Sequence, residues 1–270
     1  MKNLNFCIIG AGKVGTALAK HFYSCGIQID QVVDSKLTNA RSLASMVKAK
    51  SFSSDLFLIP QTTNLICISV QDRNIKSVVN NLADGKNKFS SVYIFHTSGS
   101  ETSEVLYPLK KLGSQILSFH PLFSFASRKI EYDLSNVFFA IESDSKIASN
   151  FAKRLCKEIN ANSIIIQKEE KALYHAFAVF ISNYLTVILA QAEKSLLSKE
   201  SKIKINNLYK PLIDSTLRNI EILGVREGLT GPAKRGDRET IKNNIGALQK
   251  YSPELTKVYK EFAKIIEGHR

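Results

Sequence analysis

Leu4-Asn5-Phe6-Cys7-Ile8-Ile9-Gly10-Ala11-Gly12-Lys13-Val14-Gly15 decides how the first half of this chain is read. The apolar run Leu4–Ile9 breaks into Gly10-x-Gly12-x-x-Gly15, then continues with Val14, Ala17, Leu18 and Phe22 at helical spacing. The run has the composition of a strand covered on both faces. Nineteen residues beyond Gly15, a second apolar run (Ile29–Val33) ends in Asp34, where a ribose-binding acid is expected. The three glycines serve different ends, namely a tight turn, close approach of backbone to a pyrophosphate, and close helix–strand packing. The helix N-terminus that follows offers unpaired N–H groups and partial positive charge. A glycine-rich βα turn without a ligand is the competing account, and the strand, helix and acid in register argue against it. The pattern predicts a dinucleotide site at Gly10, Ala11, Gly12, Lys13, Val14 and Gly15, with Asp34 and Ser35 at the adenosine ribose.

Working outward, strand-like runs recur at Leu65–Val70, Val92–Phe95, Ile116–Phe119, Val137–Ile141 and Ile164–Ile166. They alternate with helical or turn-rich stretches, which predicts an α/β fold with a mostly parallel, doubly wound sheet. Ligands of such sheets bind beyond the carboxyl ends of the strands, so Ser69 and Val70 are expected to border a nicotinamide. Beyond residue 168 strand signals stop and helical periodicity runs to the C-terminus. The expected division is a dinucleotide-binding domain over 1–167 and an all-α domain over 168–270.

Ala172–Ala192 holds 21 residues without Asp, Glu, Lys or Arg, long enough to span a bilayer. It carries His175, Ser182, Asn183, Tyr184, Thr186 and Gln191, which fits a bundle or dimer core helix better than a membrane span. The net charge of +13 suits acidic metabolites, nucleotides or nucleic acid. Its lysines and arginines are dispersed among acids, as in Lys168-Glu169-Glu170-Lys171, so a solvated basic surface is preferred over a nucleic-acid interface. Cys7, Cys25, Cys67 and Cys156 show no C-x-x-C spacing, which gives no support for zinc or disulfides. With the first strand beginning at Leu4, no leader is expected, and the chain is read as cytoplasmic.

Four constellations could carry chemistry. At 100° per residue, Lys171, His175, Ser182 and Thr186 share a stripe flanked by Asn183; a substrate cleft and a hydrogen-bonded helix contact both explain it. His96-Thr97-Ser98-Gly99-Ser100 ends a strand and offers hydroxyls and an open backbone at Gly99; helix capping is the plainer account. Ser118-Phe119-His120-Pro121 ends another, with His120 either a proton carrier or a turn residue. In Thr230-Gly231-Pro232-Ala233-Lys234-Arg235-Gly236-Asp237, Arg235 suits a substrate carboxylate or phosphate, whereas composition alone favours a surface loop.

Taken in order, Gly10–Gly15, His96–Ser100, Phe119-His120-Pro121, Lys171…Tyr174-His175…Ser182-Asn183 and Thr230-Gly231-Pro232…Arg235-Gly236-Asp237 resemble one bacterial family. Its members join a Rossmann-like domain to a helical C-terminal domain of unknown function. More distantly the chain is similar to the 6-phosphogluconate dehydrogenase-like superfamily, which includes β-hydroxyacid dehydrogenases and pyrroline-5-carboxylate reductase. The resemblance implies NAD(P)-linked hydride transfer on a small substrate and a homodimer formed through the helical domain. It implies substrate contacts at Ser98 and Gly99 and catalytic roles among Lys171, His175, Asn183 and His120; the residues' own chemistry adds His96, Ser182 and Arg235 as candidate substrate contacts. Lys171 and Asn183 are twelve residues apart, where the β-hydroxyacid dehydrogenase pattern sets Lys and Asn one turn apart. His175 occupies the one-turn position. Asp34 leans the cofactor toward NAD, while Lys36 and Arg41 lie near enough in sequence to serve NADP. The expected activity is an NAD(P)-dependent oxidoreductase on an anionic hydroxy/oxo or amino/imino compound. A dinucleotide-binding sensor without chemistry is the alternative.

Overall fold

The computed structural model describes residues 4–85, 89–196 and 205–268. Its contacts divide the chain into two units, Met1–Ser182 and Asn183–Arg270. The first unit is built on strands β1 (Phe6–Ile9), β2 (Ile29–Val33), β3 (Ser51–Ser53), β4 (Leu65–Ile68), β5 (Tyr93–His96), β6 (Gln115–Pro121), β7 (Phe138–Glu142) and β8 (Asn162–Ile165). Interleaved with them are helices α1 (Lys13–Ser24), α2 (Leu37–Met46), α3 (Asp72–Asp84), α4 (Tyr107–Lys110) and α5 (Lys146–Glu158), followed by α6 (Lys171–Val179).

The strands form one sheet in the order β3-β2-β1-β4-β5-β6-β7-β8. Every pairing is parallel except β6 with β7, so the sheet is doubly wound, as the alternation of runs predicts. β3 escapes the sequence reading because it is short and polar: Ser51-Phe52-Ser53 pairs only with β2, at the sheet edge.

Burial explains why the runs are apolar throughout. Phe6 and Ile8 pack into one core layer with Leu18 and Phe22, and Cys7 and Ile9 into the other with Ile66 and Ile68. Neighbouring residues of a strand face opposite sides, so a strand covered on both needs apolar groups at every position. The order reverses between β1 and β4, whose last residues Ile9 and Ile68 pair in register. A crevice beyond the carboxyl ends of the strands is expected at that switch point.

β6 is positioned by its aromatic residue. Phe119 is fully buried and lies 5.2 Å from Phe95 and 4.5 Å from Phe139, ring centroid to centroid. With Phe119 fixed in that layer, Ser118 and His120 are committed to the opposite face.

The second unit holds α7 (Leu185–Leu196), α8 (Ile205–Glu227), α9 (Pro232–Arg235), α10 (Arg238–Tyr251) and α11 (Pro253–Gly268). Asp237 caps α10, accepting the backbone N–H of Thr240 at 3.0 Å. Gly236 takes the left-handed conformation (φ 76°) that ends α9 and frees the chain to turn.

Candidate active site

The glycine turn is shaped by contacts that only glycine allows. A Cβ at Gly10 would lie 2.3 Å from the Ser69 carbonyl oxygen, and one at Gly15 would lie 2.0 Å from that of Gly10. Gly10 also has φ +103°, where other residues are strained. At Gly12 the space a Cβ would take is open, with no heavy atom within 4 Å. Gly12 is the N-cap of α1, whose first turn carries no acid. A closed turn, one open glycine and an uncompensated helix N-terminus fit a pyrophosphate. Asp34 sits beside this turn and accepts the Ala11 N–H at 2.8 Å and the Lys36 N–H at 2.9 Å. Ser35 is exposed next to it. Ser69 is buried at the end of β4, where its hydroxyl accepts from Thr97 at 3.3 Å, and Val70 follows it, half-buried.

A second cluster gathers around Gly99. A Cβ there would meet His175 Nδ1 at 2.3 Å and His120 Nε2 at 2.9 Å, so both nitrogens converge on one point above the backbone. His175 Nδ1 is buried and makes no hydrogen bond among the described residues. His120 Nδ1 is 2.9 Å from the Tyr174 hydroxyl. If that hydroxyl donates, His120 carries its proton on Nε2, the nitrogen over Gly99. Behind the turn, Lys171 is wholly buried and donates to the Ser98 carbonyl at 3.1 Å and to Ser118 Oγ at 2.7 Å. Ser98 Oγ donates to Asp72 at 2.8 Å and accepts the N–H groups of Ser100 and Glu101. The Ser98 hydroxyl therefore holds the turn's shape. His96 spends both ring nitrogens locally, Nε2 with the Thr102 carbonyl at 3.1 Å and Nδ1 accepting the Ser98 N–H at 3.2 Å.

Burial dominates the electrostatics. It lowers the Lys171 pKa to about 8 against the pull of Glu142, Asp72 and Glu101. Burial, followed by the Lys171 charge, lowers His120 to about 3 and His96 to about 4. Both histidines are therefore neutral at pH 7 and act through hydrogen bonds. Their folded pKa values lie below the ordinary 6.5, so the unfolded chain binds more protons as pH falls from 6.5 toward 3. Stability is fully present above that window and is lost on acidification through it. The thermal midpoint is expected to fall as pH drops from about 7 to about 4.5, less steeply in a His96→Gln, His120→Gln double variant. A midpoint flat across that range would contradict the assignment.

The first unit thus brings together Lys171, His175, His120, Ser98 and Gly99. Asn183 and Arg235 belong to the second unit, where Asn183 is exposed. Ser182 donates to the Ala178 carbonyl at 2.7 Å, within its own helix. The predicted stripe does not continue as drawn, because Phe180–Tyr184 form a π-helical turn. A π-turn takes one more residue per turn than an α-helix, so the 100° spacing that defined the stripe does not apply across it. Tyr174, Ser118, Asp72 and Arg128 were not among the site residues expected from sequence. Tyr174 lies off the stripe by one residue; Arg128 donates to the Ala11 carbonyl, 117 positions away.

A Rossmann sheet with a glycine turn shaped for a pyrophosphate defines a nucleotide-binding fold, beside which a histidine–lysine cluster is gathered. Residues 1–121 match the model of a Rossmann-like domain, and residues 137–266 match a domain of unknown function (DUF2520). The two matches follow one another along the chain, a Rossmann-like domain and then the DUF2520 domain, and the fold is that of the 6-phosphogluconate dehydrogenase and imine reductase type. It is similar to a "putative NADP oxidoreductase" from Bacteroides fragilis, at 27% identity over 98% of each chain with a TM-score of 0.81. Protein TM1727 from Thermotoga maritima is 26% identical over 97% of each chain, with a TM-score of 0.72. A reductive aminase from Aspergillus terreus, in complex with NADPH and ethyl-5-oxohexanoate, shares the fold. Its TM-score is 0.67 and its identity 13%, over 97% of this chain and 93% of that one. No curated protein matches the sequence. The chain is a structural relative of NAD(P)-dependent oxidoreductases.

Proposed function

We propose that this protein is an NAD(P)-dependent oxidoreductase that reduces a C=O or C=N bond, or oxidises its product, in a small anionic metabolite. The observation that carries the reading is the convergence of His175 Nδ1 and His120 Nε2 over Gly99, with the Lys171 ammonium buried behind the turn. The glycine turn Gly10–Gly15 would hold the pyrophosphate, with Ser69 and Val70 beside the nicotinamide half. A bound nicotinamide dinucleotide supplies or accepts the hydride. His120, neutral and donating from Nε2, orients and polarises the substrate oxygen or nitrogen, as a neutral histidine can. His175 moves the proton at Nδ1, which has no partner among the described residues. Lys171 places positive charge where negative charge develops on that atom.

His175→Ala tests this division of labour. Single-turnover oxidation of bound NADPH is expected to slow about 10²–10⁴-fold while NADPH affinity is unchanged. A wild-type rate in that variant would remove His175 from the chemistry.

The long apolar helix bears on assembly. Lys168–Ser195 is long and apolar enough to cross a membrane, and its most apolar 18-residue stretch, with a mean hydropathy of 1.6, has no residue buried in the single chain. At its N-terminal end Lys171 and Tyr174 are bound to β6 and the Ser98 turn, which ties that end to the sheet. Leu173 (62% exposed), Phe177 (57%) and Ile181 (74%) present a surface that a second copy of this chain would cover, giving a homodimer.

A further inference from the structure

The cleft beside the glycine turn is walled by α1, α2 and the segment 126–129 between β6 and β7. It encloses about 800 Å³, and every charged side chain lining it is a cation: Lys13, Lys20, Arg128 and Lys129. Lys20 is paired with the exposed Glu131 at 3.0 Å. Arg128 is fastened to the turn, its Nη1 donating to the Ala11 carbonyl at 3.2 Å and to Asn39 Oδ1 at 3.0 Å. Those bonds use one nitrogen of a guanidinium with five N–H donors in a planar fork. Asn39 in turn donates to Asp34 Oδ1 at 3.3 Å. With the Ala11 and Lys36 N–H groups, Asp34 accepts three N–H bonds. The acid that would receive a ribose hydroxyl is therefore largely occupied, and an arginine stands beside it.

We propose that this cleft is a phosphomonoester site that receives the 2′-phosphate of an NADP-type cofactor, with Arg128 and Lys129 as its ligands. The proposal rests on the dinucleotide reading of Gly10–Gly15. A guanidinium offers a phosphate paired, directional donors, and Lys129 adds a point charge. The cofactor would be read by a loop distant in sequence, and the residues that follow β2 would play a smaller part.

Calorimetric titration of the full chain with NADPH and with NADH tests it. The wild type is expected to bind NADPH at least about tenfold more tightly than NADH, and Arg128→Ala to lose about 10- to 100-fold for NADPH. NADH affinity in that variant should change less than about threefold, since NADH lacks the phosphate that Arg128 would bind. Arg128 also supports the turn, so Lys129→Gln is the control: among the described residues Arg128 alone fastens this segment to the glycine turn, and Lys129→Gln must lose NADPH selectively as well. Equal wild-type affinity for both cofactors, or equal loss of both in Lys129→Gln, would overturn the phosphate assignment and leave the dinucleotide site standing. Binding of neither cofactor by the wild type would overturn both.

Discussion

Replacing Lys171 by methionine is expected to lower turnover about 10²–10⁴-fold and to leave dinucleotide affinity within about twofold. Methionine fills nearly the same volume, so the packing of α6 against the Ser98 turn survives while the charge is lost. Two further readouts separate this from simple damage. Lys171 has its pKa lowered to about 8 by burial, so wild-type reduction should decline as pH rises through about 8, and the variant should show no such limb. The Lys171 charge also helps to keep His96 and His120 unprotonated, so its removal should move their titration back up toward 6.5. A buried ammonium is costly to desolvate, and its loss can leave stability unchanged or improved. A variant that keeps the decline through about pH 8 and is markedly less stable would show that Lys171 serves packing alone.

Gly99→Ala is the second large effect. The new methyl would lie 2.3 Å from His175 Nδ1 and 2.9 Å from His120 Nε2, closer than real Cβ contacts allow. The nearest clash is with a side chain, which can swing aside, so the fold should survive with a small loss of thermal midpoint. The two imidazoles cannot then converge on one substrate atom. Misplacement by about 1 Å can cost about 10²-fold, and turnover in Gly99→Ala should fall by at least that much. NADPH affinity should hold, because the methyl is not in the glycine turn. Near-wild-type turnover would mean that substrate does not sit above Gly99.

The fold was legible because its signals are redundant. The glycine turn, Asp34 and the apolar strands each point to the same doubly wound sheet, and two-sided burial forces that pattern. β3 carried no such signal: a three-residue polar edge strand needs neither length nor apolar alternation. The site was legible where its groups lie one helical turn apart, as Lys171 and His175 do, or at strand ends, as His120 and Gly99 do. It failed where geometry departs from periodicity. The π-turn at Phe180–Tyr184 breaks the 100° rule that tied Ser182 and Thr186 to the stripe. Arg128 meets Ala11 through the path of the β6–β7 connection, and nothing local in its sequence marks that destination.

The measurement that bears most directly on the proposed chemistry is the oxidation of NADPH by the purified chain, followed by absorbance. It should be run with a panel of small oxo acids, alone and with ammonia or amines to supply the imines. Oxidation with at least one member, lost in Lys171→Met and Gly99→Ala, is the result predicted. Tight NADPH binding with no oxidation by any member would contradict it and leave a protein that binds the dinucleotide without using it.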